Sequence, residues 1–198
     1  MSSLIVISCE SNWKSLEEEA SVIDRIISET GFRVHLRKHH FTEKQMLSLL
    51  ELLREDSLPS ISVHSHHDLA KEVGVGGIHY SEKDFDLKND LNGNSNGLLV
   101  STSFHDIEQC HSSSEFVNYS FLCPVFDSIS SDKTSPFQWQ YLSGTELPKS
   151  VYALGGVNKE NLPLIKDSSF TGAALKGALW SAEDPLAYAT ECKELWSH

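Results

Sequence analysis

Strand-length runs return eight times along this chain, and most are followed by a helical pattern or a glycine turn before the next run begins. The first, over 3–8, holds Leu4-Ile5-Val6-Ile7, a continuous apolar stretch of the kind a strand shows when both of its faces are buried. The others fall at 32–37, 61–63, 77–80, 98–102, within 116–125, at 151–154 and at 171–175. The intervening stretches read as helices. Over 13–30, Leu16, Ala20, Ile23 and Ile27 share one face, Glu17, Glu18 and Glu19 lie around the outside, and Gly31 stops the pattern. Thr42 and Gln45 form a capping box, Phe41 can staple onto Met46, and Met46, Leu49, Leu50 and Leu53 carry the buried stripe of a second helix. Ser103 with Asp106 caps a helix near 105–110, Asn158 caps a short one, and Asp184-Pro185 opens the last, over 185–196. The polar, Asn- and Gly-rich stretch 85–97 makes the fourth helix short or absent. Alternation of this kind predicts an α/β fold of parallel strands, a single small (β/α)8 barrel over residues 1–198. A flavodoxin-like open sheet is the runner-up, but it needs fewer units.

The repeating unit is clearest from Ser62 to Asp84. Val63 closes a strand, Ser65 can cap a helix that Asp68 answers, and Leu69 and Val73 lie one turn apart. Gly74, Gly76 and Gly77 end that helix, and Ile78-His79-Tyr80 follows as the next strand. Four of the ten histidines lie in this stretch. In a barrel of this type, side chains at the C-terminal strand ends build the site, so His35, His64 and His66 are candidates to line a ligand pocket. His79 reads as a core histidine, and His40, His67, His111 and His198 as solvent-facing. A Zn²⁺ cluster of His39, His64 and His66 is conceivable, although no helical i, i+4 metal motif supports it.

Composition narrows the partners. A formal net charge of −12 argues against nucleic acid and anionic membrane. Phosphorylated small molecules stay open, because backbone N–H groups bind phosphate locally. Cys9, Cys110, Cys123 and Cys192 show no metal or redox spacing, which predicts reduced thiols and a cytoplasmic protein. No apolar window approaches a membrane span.

Five fragments, each at a predicted strand end, together resemble the thiamine-phosphate synthase and TenI (thiazole tautomerase) family. Val34-His35-Leu36-Arg37-Lys38-His39 sits where the family has Gln-x-Arg-x-Lys. Asp68-Leu69-Ala70 with the run from Gly77 to Asp84 is similar to its D-x-A…G-x-H-x-G-Q-x-D stretch. Ser103-Phe104-His105 resembles Ser-x-His, and Cys123-Pro124-Val125-Phe126 resembles a Gly-Pro-hydrophobic-aromatic turn. Ala153-Leu154-Gly155-Gly156-Val157 resembles the Ala-Ile-Gly-Gly-Ile turn after the seventh strand.

The resemblance implies an enzyme of thiamine biosynthesis that joins a hydroxymethylpyrimidine pyrophosphate to a thiazole phosphate, with Mg²⁺ as cofactor. Homodimers are common in the family. Arg37, Ser103, His35 and His64 are then the expected catalytic residues. Arg37, His39, Ser128, Ser130 and Lys133 would face pyrophosphate, and Gly155, Gly156, Lys176 and Gly177 would hold the thiazole phosphate. Of the two metal aspartates only Asp84 persists, the other position being Ser65. Two alternatives accompany this reading. One is a TenI-like thiazole tautomerase, whose usual base would fall at Pro124; the other is a non-catalytic protein that binds thiazole or thiamine phosphate.

Overall fold

The strands pair in parallel in chain order, and the last returns to the first. They are β1 (Leu4–Ile7), β2 (Arg33–Leu36), β3 (Ile61–Val63), β4 (Gly77–Tyr80), β5 (Leu99–Phe104), β6 (Tyr119–Leu122), β7 (Val151–Ala153) and β8 (Gly172–Leu175). This computed structural model describes residues 3–11, 13–84, 97–127, 135–137, 139–148 and 150–197. Among them the helices are α1 (Leu16–Thr30), α2 (Glu43–Leu52), α3 (His67–Val73), α4 (Ile107–Ser113), α5 (Trp139–Leu142), α6 (Leu162–Lys166), α7 (Gly177–Trp180) and α8 (Pro185–Ser197). The closed (β/α)8 barrel expected from the sequence is present.

Alternation along each strand separates two cores. Leu4, Val6, Val34, Leu36, Val63, Val100, Leu122 and Leu175 point outward and pack under the helices with Ile23, Met46, Leu49 and Ala189. Ile5, Ile7, Tyr119, Phe121, Tyr152 and Ala174 point inward and fill the barrel. Most side chains at the inward positions of β2 to β5 are polar instead, Leu99 excepted. Arg33 plugs the N-terminal end, its guanidinium donating to Pro59 O, Ile61 O and Ser62 Oγ at 2.9–3.2 Å. Register places His35 beside Ser62, Ser62 beside Gly77 and His79 beside Ser101, so one polar stripe climbs the wall towards the C-terminal mouth.

Local signals hold where the chain closes them locally. The Thr42–Gln45 capping box forms on α2, and Asp184 Oδ1 accepts from the N–H groups of Leu186 and Ala187 at the start of α8. Elsewhere tertiary contacts move the boundaries. Helix α1 begins at Leu16, not Trp13, because Ser15 and Glu18 make a capping box there. Glu19 is not on a solvated face: it is fully buried, with both carboxylate oxygens 2.7–2.8 Å from the Lys38 ammonium. Ser65 does not cap α3. Its hydroxyl turns to Lys38 O at 3.5 Å, and His66 takes the cap position in a left-handed conformation (φ +55°) without a side-chain bond. Ser103 likewise leaves the cap of α4 to Asp106 and turns into the barrel. Asn158 pairs with Asn161, and α6 starts only after the latter. Of the three glycines read as ending α3, Gly74 alone is left-handed; a Cβ on Gly76 would lie 1.9 Å from Pro59 O, so its role is close approach. The expectation for a fourth helix over 85–97 falls almost wholly outside the described residues.

Candidate functional site

A cavity of about 440 Å³ opens at the C-terminal ends of the strands. Each strand delivers its residues there as it ends: Glu10 after β1, Arg37 and His39 after β2, His64 after β3, and Ser81 and Glu82 after β4. Ser103 and His105 come from the end of β5, Cys123 and Pro124 from β6, Gly155 and Gly156 from β7, and Lys176 and Gly177 from β8. Ile7, Leu154, Val157 and Ala174 supply apolar wall.

The charged part of the rim centres on Glu10. Its Oε1 accepts from Arg37 NH1 and, at 3.0 Å, from the Lys176 ammonium. Burial alone would raise this carboxyl, but the Lys176 hydrogen bond and the Arg37 charge outweigh it, and its pKa is lowered. Glu10 therefore stays ionised and holds two cations at one side of the cavity. Next to Lys176 lies the Gly155-Gly156 turn, with φ of +94° and +65°. A Cβ on Gly156 would lie 2.3 Å from Asp127 O, so neither the backbone angle nor the space admits a side chain. Asn161 Nδ2 donates to Gly156 O at 2.9 Å and fixes the turn.

The floor beneath is histidine. His35 Nδ1 lies 2.9 Å from His64 Nε2, and His35 Nε2 lies 2.6 Å from the Tyr119 hydroxyl. His64 stacks on His79 with ring centroids 4.0 Å apart. His79 Nδ1 is 2.9 Å from Ser101 Oγ, and its Nε2 is 3.0 Å from Ser103 Oγ. Burial, reinforced by neighbouring positive charge, holds His35 and His64 well below the usual histidine range and lowers His79 to about 3. All three rings are therefore neutral near pH 7.

The sequence-predicted residues thus divide into groups. Arg37, His39, His64, Ser103, Gly155, Gly156, Lys176 and Gly177 meet at the cavity. His35 lies one layer deeper, fully buried, against His64 and His79 of the cavity wall. Ser103 faces the site, but its hydroxyl is engaged with His79. Ser128, Ser130 and Lys133 lie outside the described residues. Asp84 is exposed and bonded to the Ser81 hydroxyl, and neither it nor Ser65 lines the cavity. His66 does not line it either, because its Nε2 turns to Phe41 O at 2.7 Å; His67 is half-buried against His79 O rather than solvent-facing. A Mg²⁺ ion needs oxygen donors. The side chains on the floor offer imidazole nitrogens, and the expected Ser65–Asp84 pair does not fit the ion.

Glu10 was not anticipated, although a carboxylate just past a barrel strand is itself a signal. His79 was read as core. Period-two alternation puts it inward at the level of His64, which is the clue that joins it to the site. Cys123 lines the rim with its Sγ 3.7 Å from His105 Nδ1.

The family model described as thiamine monophosphate synthase matches residues 4–179. The thiamine-phosphate synthase of Syntrophomonas wolfei is 25% identical over 171 residues, covering 82% of this chain and 81% of that enzyme. That of Prochlorococcus marinus is also 25% identical, over 132 residues, but the match covers 65% of this chain and only 38% of that protein's length. Among solved structures, a thiamine phosphate pyrophosphorylase from Bacteroides thetaiotaomicron superposes with a TM-score of 0.76 at 28% identity, covering 99% of this chain and 98% of that one. One from Pyrococcus furiosus, at 21% identity and a TM-score of 0.72, shares the fold.

Proposed function

This chain belongs to the thiamine monophosphate synthase family, and we propose that it joins a hydroxymethylpyrimidine pyrophosphate to a thiazole phosphate and releases pyrophosphate. The observation that carries the proposal is the juxtaposition, on one cavity, of a glycine turn with Lys176 and the Arg37–Lys176 cation pair.

The bond to break is the carbon–oxygen bond to pyrophosphate, and the bond to form joins that carbon to the thiazole nitrogen. As the leaving group departs, negative charge gathers on its oxygens, and a benzylic-type pyrimidine cation is left behind. Arg37 can pair with the departing phosphates bidentately, and Lys176 adds a point charge beside it. Glu10 keeps both cations in place before the anion arrives. The N–H groups around Gly155-Gly156 and Lys176-Gly177 suit the single phosphate of the thiazole partner, fixing its ring relative to the pyrimidine. The apolar wall of Ile7, Leu154 and Ala174 gives the rings a surface that excludes water from the cation. No step here runs through Mg²⁺, because the described residues do not build its site. The reaction belongs to the cytoplasm, a reducing compartment that suits four cysteines without disulfides.

A second reading, tautomerisation of a thiazole carboxylate phosphate, is favoured by His105. Its Nδ1 lies 2.6 Å from Cys123 O, and donation there leaves Nε2 unprotonated as a base at the rim. One experiment separates the two. The purified protein is incubated with pyrimidine pyrophosphate and thiazole phosphate, with and without added Mg²⁺, and separately with the thiazole carboxylate phosphate tautomer. Thiamine phosphate in the first mixture supports the synthase. A changed tautomer ratio alone supports the isomerase.

A further inference from the structure

His35, His64 and His79 each offer a ring nitrogen, and the three atoms lie within 4.8 Å of one another. They come from the adjacent strands β2, β3 and β4, whose paired backbones fix their spacing. We propose that this triad binds one borderline-soft divalent transition metal, of the Zn²⁺ class, at the floor of the cavity. The proposal is independent of the synthase reading, since it concerns a nitrogen site that no step above uses.

The hydrogen bonds set the tautomers that such a site requires. Ser101 Oγ lies 3.3 Å from Ile78 O and donates to it, so it accepts from His79 Nδ1–H. The lone pair of His79 is then on Nε2, where it accepts from Ser103 Oγ at 3.0 Å, a bond that a metal ion would replace. On His35, Nε2–H can donate to Tyr119 OH, whose own proton can pass towards Ser62 Oγ at 3.5 Å. This leaves the lone pair of His35 on Nδ1, facing His64 Nε2. Ligating histidines are commonly oriented in this way, by a partner on the nitrogen that does not bind the metal. Tyr119 and Ser101 fill that position for two of the three.

The shortest separation suits the ion after a small opening, and the remaining nitrogens, within 4.8 Å, have to close on it. Two imidazole nitrogens at 2.9 Å share one proton. Zinc–nitrogen bonds of about 2.0–2.1 Å in tetrahedral geometry place the nitrogens roughly 3.3 Å apart. A shift of a few tenths of an ångström in the half-buried His64 ring accommodates that change. Nitrogen donors without a carboxylate among them select against Mg²⁺ and for Zn²⁺, Co²⁺ or Ni²⁺. Two of the three ligands, His64 and His79, line the cavity, which leaves a fourth position on that side for water or a ligand atom, the arrangement of an open rather than a closed zinc site.

The test is metal binding, read without any activity. Full-length protein is stripped by chelator dialysis and titrated with Zn²⁺ by calorimetry and with Co²⁺ by visible absorption, alongside His64→Ala, Tyr119→Phe and, as a surface control, His111→Ala. The expected result is one Zn²⁺ per chain with intense tetrahedral Co²⁺ bands, affinity at least tenfold weaker in His64→Ala and several-fold weaker in Tyr119→Phe, and no change in His111→Ala. The wild-type Co²⁺ spectrum decides the matter even if a variant fails to fold. Weak octahedral bands, stoichiometry well below one, or a folded His64→Ala that binds like the wild type would each overturn the proposal.

Discussion

Glu10 pins Arg37 and Lys176 to one carboxylate, so an anion entering the cavity meets cations that are already partly neutralised. Replacing Glu10 with Gln removes that competition, and inorganic pyrophosphate should then bind several-fold tighter by calorimetry, while Arg37→Ala should weaken it by tenfold or more. Equal affinities in all three proteins would mean that these groups do not form the anion site. Lys38 poses a different question at the same scale. It and Glu19 are fully buried as an ion pair, with a further bond from the ammonium to Ser11 O at 2.9 Å. Truncating one partner of such a pair strands a charge, so Lys38→Met should cost about 3–5 kcal/mol in urea unfolding. A loss below 1 kcal/mol would contradict the burial of this pair. Neither pair was legible in the sequence. Glu19 follows Glu17 and Glu18 on what reads as a solvated face, and only the fold brings it to Lys38.

Among the elements, the turn after β7 is the one whose shape was written most plainly in the chain. Gly155-Gly156 follows a strand of Val, Tyr and Ala, and both glycines adopt the left-handed angles that such a turn uses. Gly156→Ala would force a Cβ against Asp127 O at 2.3 Å. We expect a loss of 1 kcal/mol or more in stability, and thiazole phosphate binding weakened at least tenfold relative to the loss in Gly74→Ala, a left-handed glycine that does not line this cavity. Capping boxes were legible for the same reason as this turn, since each is closed within four residues. The cap of α3 was not. Its Ser65 and His66 are directed by Lys38 O and Phe41 O, groups about 25 residues away that no local pattern can display.

For the whole molecule, eight strands in chain order were readable because each carries its own run of apolar residues, and closure follows from pairing β8 back to β1. The chemistry of the interior was less readable. Its polar stripe depends on register between strands, which aligned His64 with His79 and set His35 beneath them. Burial also makes the molecule sensitive to alkali. It raises the Cys110 thiol to about 11 and the Cys192 thiol to about 12. In the unfolded chain both ionise from about pH 8.5. Their contribution is therefore intact below that value and is lost as pH rises towards their folded values, by roughly 1 kcal/mol per pH unit for each thiol. Urea midpoints measured between pH 7.5 and 10.5 should fall accordingly, and the fall should be shallower in Cys192→Ala; a flat profile would contradict the burial of these thiols.

The proposed reaction seats both phosphorylated partners in one cavity and lets pyrophosphate leave. Its most direct measurement follows pyrophosphate and thiamine phosphate together in a single reaction of the purified protein with both substrates. The two products should appear one for one, and Arg37→Ala and Lys176→Ala should each slow their formation by tenfold or more. Absence of thiamine phosphate above background, or an unchanged rate in both variants, would contradict it.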